Sequence, residues 1–290
     1  MFNKTSGKVR DIYSISDKEL VIVTSDRISA FDAVLPKTVP GKGKILNALS
    51  LFWFGRTSGI ISNHILSGDT KDMPGYFQES QYEGRTVLVK KLKMLPFECI
   101  VRGYMFGHLW EEYSQNREFC GQRIDEGYKL AQKLKEPVFT PSTKSSNGHD
   151  EYIKFDEIVA TVGEELARKV RDTSFSLYEA CCGYALSKGI IIADVKFEFG
   201  LDELGNLVLA DELFTPDSSR FWSAAGYETG TSPKSYDKQF LRDWLQNNKK
   251  DGQMQFNKVP DEVLKKTADI YSQCLQIITS GDQKDMENVF

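Results

Sequence analysis

Three residues in one short run could do chemistry together. Asp194, Lys196 and Glu198 alternate with Val195, Phe197 and Phe199. Side chains two apart on a strand share a face. The alternation therefore predicts a strand with acid, base and acid on one side and an apolar row on the other. The apolar row must be buried, which draws the charges into or beside packed protein. Buried charges are costly unless paired or bound, and a metal ion with polyphosphate is a partner that fits. Gly205-Asn206 is a hairpin turn signal. A two-residue turn there returns Asp211 on the same face as Glu198. Two carboxylates meeting across a hairpin, with a lysine two residues from one, suit Mg2+ bridging nucleotide phosphates. Lys196 would contact a phosphate oxygen. Alternation sends Glu212 to the opposite face, which makes Asp211 the preferred ligand. The competing reading is a surface ladder of ion pairs, each worth under about 1 kcal/mol.

Other runs offer anion-binding groups. Thr215-Pro216-Asp217-Ser218-Ser219-Arg220 places hydroxyls, backbone N–H groups and a guanidinium within a few residues. That donor set suits a phosphate monoester; a Pro-Asp turn with an exposed arginine is the plainer reading. Gly7-Lys8-Val9-Arg10-Asp11-Ile12-Tyr13 puts alternating cations after a glycine, where they could lie over a triphosphate. It lacks the spacing of a Walker loop. Pro40-Gly41-Lys42-Gly43-Lys44 is a weaker signal of the same kind, or a flexible basic loop. Arg102 ends a strand pattern and Gly107-His108 opens a helical one, so Arg102 could serve an anion at a helix N-terminus. A structural ion pair at the strand end explains Arg102 equally. Residues 140–150 form a polar loop of the length of a mobile active-site segment, with Lys144 and Asp150 as its charged candidates. A surface loop is the default for it.

The elements that must position these residues follow from periodicity and turn residues. Leu20–Thr24, Thr86–Val89 and Phe97–Val101 read as strands. Ile45–Phe54 has helical spacing. The composition shift over residues 90–96 suggests a hinge, dividing the chain into residues 1–95 and 96–290. A helix should follow Gly107 through Tyr113. Thr161-Val162-Gly163-Glu164 reads as a capping box before a long helix whose buried stripe is Leu166, Val170, Leu177, Tyr178, Cys181 and Ala185. Lys188-Gly189 ends that helix. The strand Ile190–Phe199 and the return Leu207–Asp211 come next. Two amphipathic helices, Tyr236–Gln246 and Pro260–Ile278, finish the chain, with Pro260 in a first turn. Strands and helices alternate irregularly, so an α+β fold is expected.

Bulk properties narrow the function. A chain of 290 residues accommodates two ordinary domains or one large one. A formal charge of −4 argues against a general nucleic-acid binder. No apolar run reaches the roughly 20 residues of a membrane span, and the start of the chain carries no signal-peptide core. Five cysteines without a CxxC pair, and three histidines in separate segments, favour plain thiols over disulfides or zinc. Reducing cytoplasm is the expected compartment.

Taken in order, GKVRDIY, SDRISAFD, LPFECIVRGY, TPSTK with a downstream HD, IADVKFEFG and DELFTPDSSRFW resemble the SAICAR synthetase family of purine biosynthesis. The resemblance runs from Gly7 to about Leu245. Length and the YDKQFLRDWL tail are similar to the family's longer form. The resemblance implies an ATP-grasp-like fold, a small N-terminal antiparallel sheet domain over a larger α/β domain with C-terminal helices. It implies a cytoplasmic ligase that joins carboxyaminoimidazole ribotide to L-aspartate, with ATP cleaved to ADP and phosphate and Mg2+ as cofactor. It makes Lys8 and Arg10 contacts of the ATP phosphates, and Val89 and Met94 the adenine lining. Glu198 and Asp211 would hold Mg2+, with Lys196 on the nucleotide phosphates. Arg102, Ser219 and Arg220 would bind the ribotide phosphate, and Lys144, Asp150 and Asp194 would surround the imidazole carboxylate and the aspartate. The expected partners are these small molecules alone, with no nucleic acid or membrane, in a monomer or homodimer. One departure stands out. The family pattern after the arginine ends in a serine that touches the ribotide phosphate, and here His108 replaces it. A histidine can still donate to phosphate, and a dianion favours its protonated form.

A carboxylate is a poor electrophile, so ATP would convert it to an acyl phosphate that the amine attacks. Lys196 would offset charge on the transferring phosphoryl group. Asp194 is the candidate base for the amine. Two other classes compete: a kinase-like or ATP-grasp phosphotransferase acting on another small molecule, and a non-catalytic nucleotide-binding module. Aspartate-dependent ADP release separates the first from the ligase. An intact set of Glu198, Asp211 and Lys196 counts against the second.

Overall fold

A computed structural model describes residues 2–144 and 151–281. The N-terminal part contains β1 (Asn3–Ser6), β2 (Arg10–Ser14), β3 (Glu19–Thr24), β4 (Ser29–Ala30), β5 (Ala33–Val34), α1 (Lys42–Thr57), β6 (Ile65–Ser67) and β7 (Thr86–Lys90). Five of these strands form an antiparallel sheet in the order β1-β2-β3-β7-β6. One face of it packs Tyr13, Val21 and Val23 on Met73, Phe77 and Tyr82. The other packs Ile22, Val87 and Val89 on Leu51 of α1.

The remainder contains β8 (Lys93–Met94), β9 (Phe97–Tyr104), α2 (His108–Asn116), β10 (Glu118–Phe119), β11 (Gln122–Arg123), β12 (Lys133–Phe139), β13 (Ser142–Thr143), α3 (Phe155–Val162), α4 (Glu164–Ser187), β14 (Ile190–Leu201), β15 (Leu207–Ala210), β16 (Ser219–Ser223), α5 (Gln239–Asn247) and α6 (Asp261–Thr279). Its sheet runs β12-β9-β14-β15, with β13 on β9 and both β16 and β8 on β14. The expected hinge is therefore fastened to the larger sheet: β8 pairs with Gly200 and Leu201, and the Leu95 N–H donates to the Phe199 carbonyl at 2.9 Å. The main core lies between this sheet, α4 and α1, and Trp53 and Phe52 of α1 sit in it with Phe197 and Phe199. Burying an aromatic side chain of this size contributes roughly 1.5–3 kcal/mol.

The long strand β14 changes phase. Ile190 and Ile192 face the main core, and so do Val195, Phe197 and Phe199. The shift from even to odd positions comes from a bulge between Ile192 and Asp194 in the pairing with β16. A bulge inserts one residue and re-aims the side chains after it. Without it Asp194, Lys196 and Glu198 would point into the core.

Three local expectations fail, each for a physical reason. The return from β14 is not a two-residue turn. Residues 202–206 separate the strands, the Asp202 carboxylate accepts the N–H groups of Leu204 and Asn206, and Gly205 takes a φ of +80°. The register then sets Glu198 opposite Ala210, not Asp211. The capping box at Thr161 is absent because Thr161 lies inside α3, where its hydroxyl donates to the Glu157 carbonyl. Gly163, at φ 86° and ψ 156°, breaks the chain between α3 and α4. Pro260 stands one residue before α6, in extended conformation.

Candidate active site

The open face of β14 presents its three charged residues to two different surroundings. Lys196 lies among carboxylates: its Nζ is 2.9 Å from Glu98, 2.7 Å from Glu198 and 3.5 Å from Asp211. Glu98 comes from β9, the neighbouring strand, where Lys196 pairs with Ile100. Lys144 makes a second ion pair with Glu198. Arg10, reaching over from β2, is paired with Asp211 and with Glu212, the latter at 2.7 Å. Burial works against the charge on Lys196, yet Glu198, Asp211 and Glu98 together hold its pKa well above the usual lysine range. Burial also works against ionised Asp211, but Arg10 and Lys196 overcome it and hold the carboxyl well below the usual range. Arg10 is raised for the matching reason, with Asp211 and Glu212 outweighing burial.

Asp211 reaches this group in spite of the strand register. It follows the last residue of β15 and has a φ of 64°. A left-handed residue breaks the alternation of an extended chain. Asp211 and Glu212 consequently both meet Arg10, so the expectation that Glu212 faces away is wrong. The Glu212 carboxylate also accepts the Thr215 hydroxyl at 2.5 Å, which ties the cluster to the next loop.

Two residues earlier on β14, Asp194 sits between two arginines. Arg102, its partner across β9, donates to it at 3.1 Å, and Arg220 of β16 also bonds it. Arg102 donates further to the Thr140 hydroxyl at 3.0 Å and the Tyr152 hydroxyl at 2.9 Å. Gly107, at φ 59°, lets Arg220 lie against the start of α2: a Cβ there would be 2.6 Å from a guanidinium nitrogen of Arg220.

Beside this pair opens a cavity of about 190 Å³. Arg102, Lys196, Arg220, Lys238 and Arg242 line it, against Asp194, Asp217 and Asp237. Ser219 also lines it, and its buried hydroxyl has no hydrogen-bond partner. The Nε of Arg242 is likewise buried without a partner. With Lys196 met by its own carboxylates, the other four cations against three carboxylates leave a positive excess, which is what an anionic ligand needs.

The family comparison meets this geometry. The model of the SAICAR synthetase family matches residues 3–259. The chain belongs to the SAICAR synthetase family. A phosphoribosylaminoimidazole-succinocarboxamide synthase from Lachnospira eligens is 49% identical over 284 residues, covering 95% of this chain and 94% of that protein. One from Chromobacterium violaceum is 48% identical, covering 93% and 96%. Among solved structures, a SAICAR-synthase from Saccharomyces cerevisiae complexed with SAICAR superposes with a TM-score of 0.88 at 41% identity, covering 97% of this chain and 95% of that one. A type-2 SAICAR synthetase in complex with ADP gives a TM-score of 0.72 at 25% identity, covering 96% and 97%. The fold is that of this family, ATP-grasp-like, as expected. The chain is an ATP-dependent ligase of purine biosynthesis that joins carboxyaminoimidazole ribotide to L-aspartate.

The structure gathers most of the residues that the family resemblance singles out. Arg10, Lys144, Lys196, Glu198 and Asp211 form one cluster, and Arg102, Asp194, Ser219 and Arg220 form its neighbour. Lys8 is exposed, 3.4 Å from Asp32. The Val89 side chain is enclosed in β7, and Met94 on β8 is partly exposed. Asp150 lies outside the described residues. His108 does not line the cavity beside Asp194. Its ring stacks on Tyr152 with centroids 5.0 Å apart, and its nitrogens lie 3.1 Å from Glu111 and 3.6 Å from Glu112. Among the described residues no helix is long and apolar enough to cross a membrane.

Sequence reading passes over several residues here. Lys238 and Arg242 are four apart, one turn along α5, and their shared cavity-facing position looks like ordinary helix polarity in one dimension. Tyr152 carries no motif. His64 is buried beside Asp211 and Arg10, and burial pushes its pKa down to about 4. The main chain around it bridges the sheets: the His64 N–H donates to Leu209 at 3.0 Å and the Lys90 N–H to His64 at 2.8 Å.

Proposed function

We propose that the two clusters divide the ligase reaction between them. The observation that carries this reading is the contrast along one strand face. Lys196 is surrounded by acids, while Asp194 is surrounded by arginines two residues away.

In this reading the Lys196 cluster holds the nucleotide phosphates. Three cations (Arg10, Lys144 and Lys196) face four carboxylates (Glu98, Glu198, Asp211 and Glu212), so the described side chains leave the group with one negative charge in excess. Mg2+ is commonly held by one or two carboxylates with phosphate oxygens and water, and Glu198 with Asp211 fits that donor set. When bound there, Mg2+ would neutralise phosphate charge during phosphoryl transfer. Lys196 orients and neutralises the transferring phosphoryl oxygens, with Arg10 and Lys8 as further phosphate cations. Met94, on the segment fastened to β14, and Val89 belong to the adenine end. Residues 1–95 then cover the nucleotide, and residues 96–290 carry the other substrates.

The second cluster takes the ribotide. Ser219, with its unpartnered hydroxyl, Arg220 and Arg102 line its phosphate site, and Arg242 adds an unspent N–H. The substrate carboxylate accepts the γ-phosphoryl group, forming a C–O–P bond as the β,γ-bridge of ATP breaks. The aspartate amine attacks the activated carbonyl carbon, inorganic phosphate leaves, and a base takes the amine proton. Asp194, between Arg102 and Arg220, is the base in this scheme. Lys144 completes the surroundings of the reacting groups. Five cysteines without a disulfide among them suit the reducing cytoplasm.

Oxygen-18 in the ribotide carboxylate tests the activation step. The label should appear in the released phosphate in an aspartate-dependent reaction. Turnover without label transfer excludes the acyl phosphate.

A further inference from the structure

A buried lysine and a partly buried one share one carboxylate next to the ribotide cavity. Lys42 opens α1 and is fully enclosed, with its Nζ 2.6 Å from Asp217. Lys238 precedes α5, with its Nζ 3.5 Å from the other oxygen of Asp217. That second oxygen also accepts the Tyr271 hydroxyl of α6 at 2.9 Å. One carboxylate balances one cation. Lys42 is the nearer and has no route to solvent, so its charge must be met inside the protein, and Asp217 is the acid beside it. Lys238 is the cation in excess.

The placement of Lys238 matters because it lines the cavity beside Ser219 and Arg220, whereas Lys42 does not. Arg102 and Arg220 are already engaged with Asp194. Burial lowers the pKa of Lys238, Asp217 opposes that, Arg242 and Lys42 add to the lowering, and Glu212 offsets part of it. A lysine in this state gains most from an incoming anion, which supplies the missing counter-charge and hydrogen-bond acceptors together.

We propose that Lys238 is a ligand of the ribotide phosphate, and that Lys42 is a positioning residue that occupies Asp217 and so leaves Lys238 for the substrate. The proposal rests on the reading of this cavity as the ribotide site. It moves the centre of the phosphate site from the Asp194-bound arginines toward the first turn of α5.

The test uses Lys238→Met, Lys238→Arg and Lys42→Met in the full chain, with ribose 5-phosphate as a thermal-shift probe beside steady-state kinetics. Loss of a charge-assisted bond should raise the KM for the ribotide roughly ten- to a hundredfold in Lys238→Met, with kcat and the KM for ATP within about twofold. Lys238→Arg, which keeps the charge, should recover most of the affinity even if the methionine variant folds poorly. Lys42→Met frees Asp217 to neutralise Lys238, and should raise the ribotide KM while leaving that for ATP. Ribose 5-phosphate should stabilise the wild type and not Lys238→Met. A ribotide KM within about twofold of wild type in Lys238→Met, with protection retained, overturns the role of Lys238 alone. An unchanged ribotide KM in Lys42→Met overturns the positioning role. Absence of protection in the wild type overturns the reading of the cavity and this proposal with it.

Discussion

Arg10 and Asp211 form an ion pair across 201 residues of sequence, joining the second strand of the small sheet to the end of β15 in the large one. The same guanidinium also holds Glu212. Any movement of the small sheet over a nucleotide is therefore felt at the carboxylate that faces Lys196.

Replacing Arg10 by methionine leaves a buried carboxylate, Glu212, and a partly buried one, Asp211, with reduced compensation. Breaking a buried pair from one side costs about 3–5 kcal/mol. Arg10 holds the Asp211 carboxyl below its usual range. Such a depressed carboxyl adds stability that is complete above the unfolded carboxylate pKa, near 3.8, and is lost as pH falls toward the folded value. The difference in stability between wild type and Arg10→Met should hence be largest at neutral pH and shrink below about pH 4. Urea unfolding at several pH values measures it, and a difference independent of pH would refute the linkage.

Asp211→Asn and Glu198→Gln each remove one charge from the surroundings of Lys196 while keeping the shape. If both carboxylates serve the metal and phosphates, each variant should lose about 10²- to 10³-fold in kcat. The Mg2+ concentration giving half-maximal rate should rise in both. Full turnover by Asp211→Asn would remove this residue from the site.

His108→Ser restores the residue of the family pattern. His108 here stacks on Tyr152 and faces Glu111 and Glu112; it lines a pocket with Arg220 and Arg242 next to the cavity that holds Ser219, and not that cavity itself. The KM for the ribotide should stay within about twofold, and stability should fall by about 0.5–1.5 kcal/mol from the lost ring contact. A tenfold change in ribotide KM would make the histidine a substrate ligand after all.

Much of this site is legible in one dimension, and the gaps have causes. The acid-base-acid row of β14 shows because its opposite face is uniformly apolar, and Phe197 and Phe199 are indeed fully buried. Asp211 meets Lys196 by a route other than the two-residue hairpin turn that its spacing suggests. The loop after β14 has a different length, and a left-handed backbone at Asp211, favoured by nothing in its neighbours' identities, restores the meeting with Lys196. Thr161 shows that a capping pattern does not reveal which of two successive helices it belongs to. Lys42 looks like part of a flexible basic loop, yet it is fully enclosed because Asp217, far along the chain, is folded against it. Such long-range charge pairing leaves no periodic trace.

Gly107→Ala separates positioning of the ribotide site from general stability. The backbone at Gly107, φ 59° and ψ −141°, is open to glycine and strained for alanine, at a cost of about 1–3 kcal/mol. An added Cβ would also lie 2.6 Å from Arg220 and must displace the guanidinium that holds Asp194. Gly163→Ala is the matched control. Its backbone, φ 86° and ψ 156°, is also one that alanine avoids, but a Cβ there meets nothing within 4 Å. Both variants should lower the unfolding midpoint by a similar amount. Only Gly107→Ala should raise the KM for the ribotide, by about tenfold if one charge-assisted contact of Arg220 is lost. Equal kinetics in the two variants would mean that Arg220 can move without cost to binding, and that its place against Gly107 serves the fold alone.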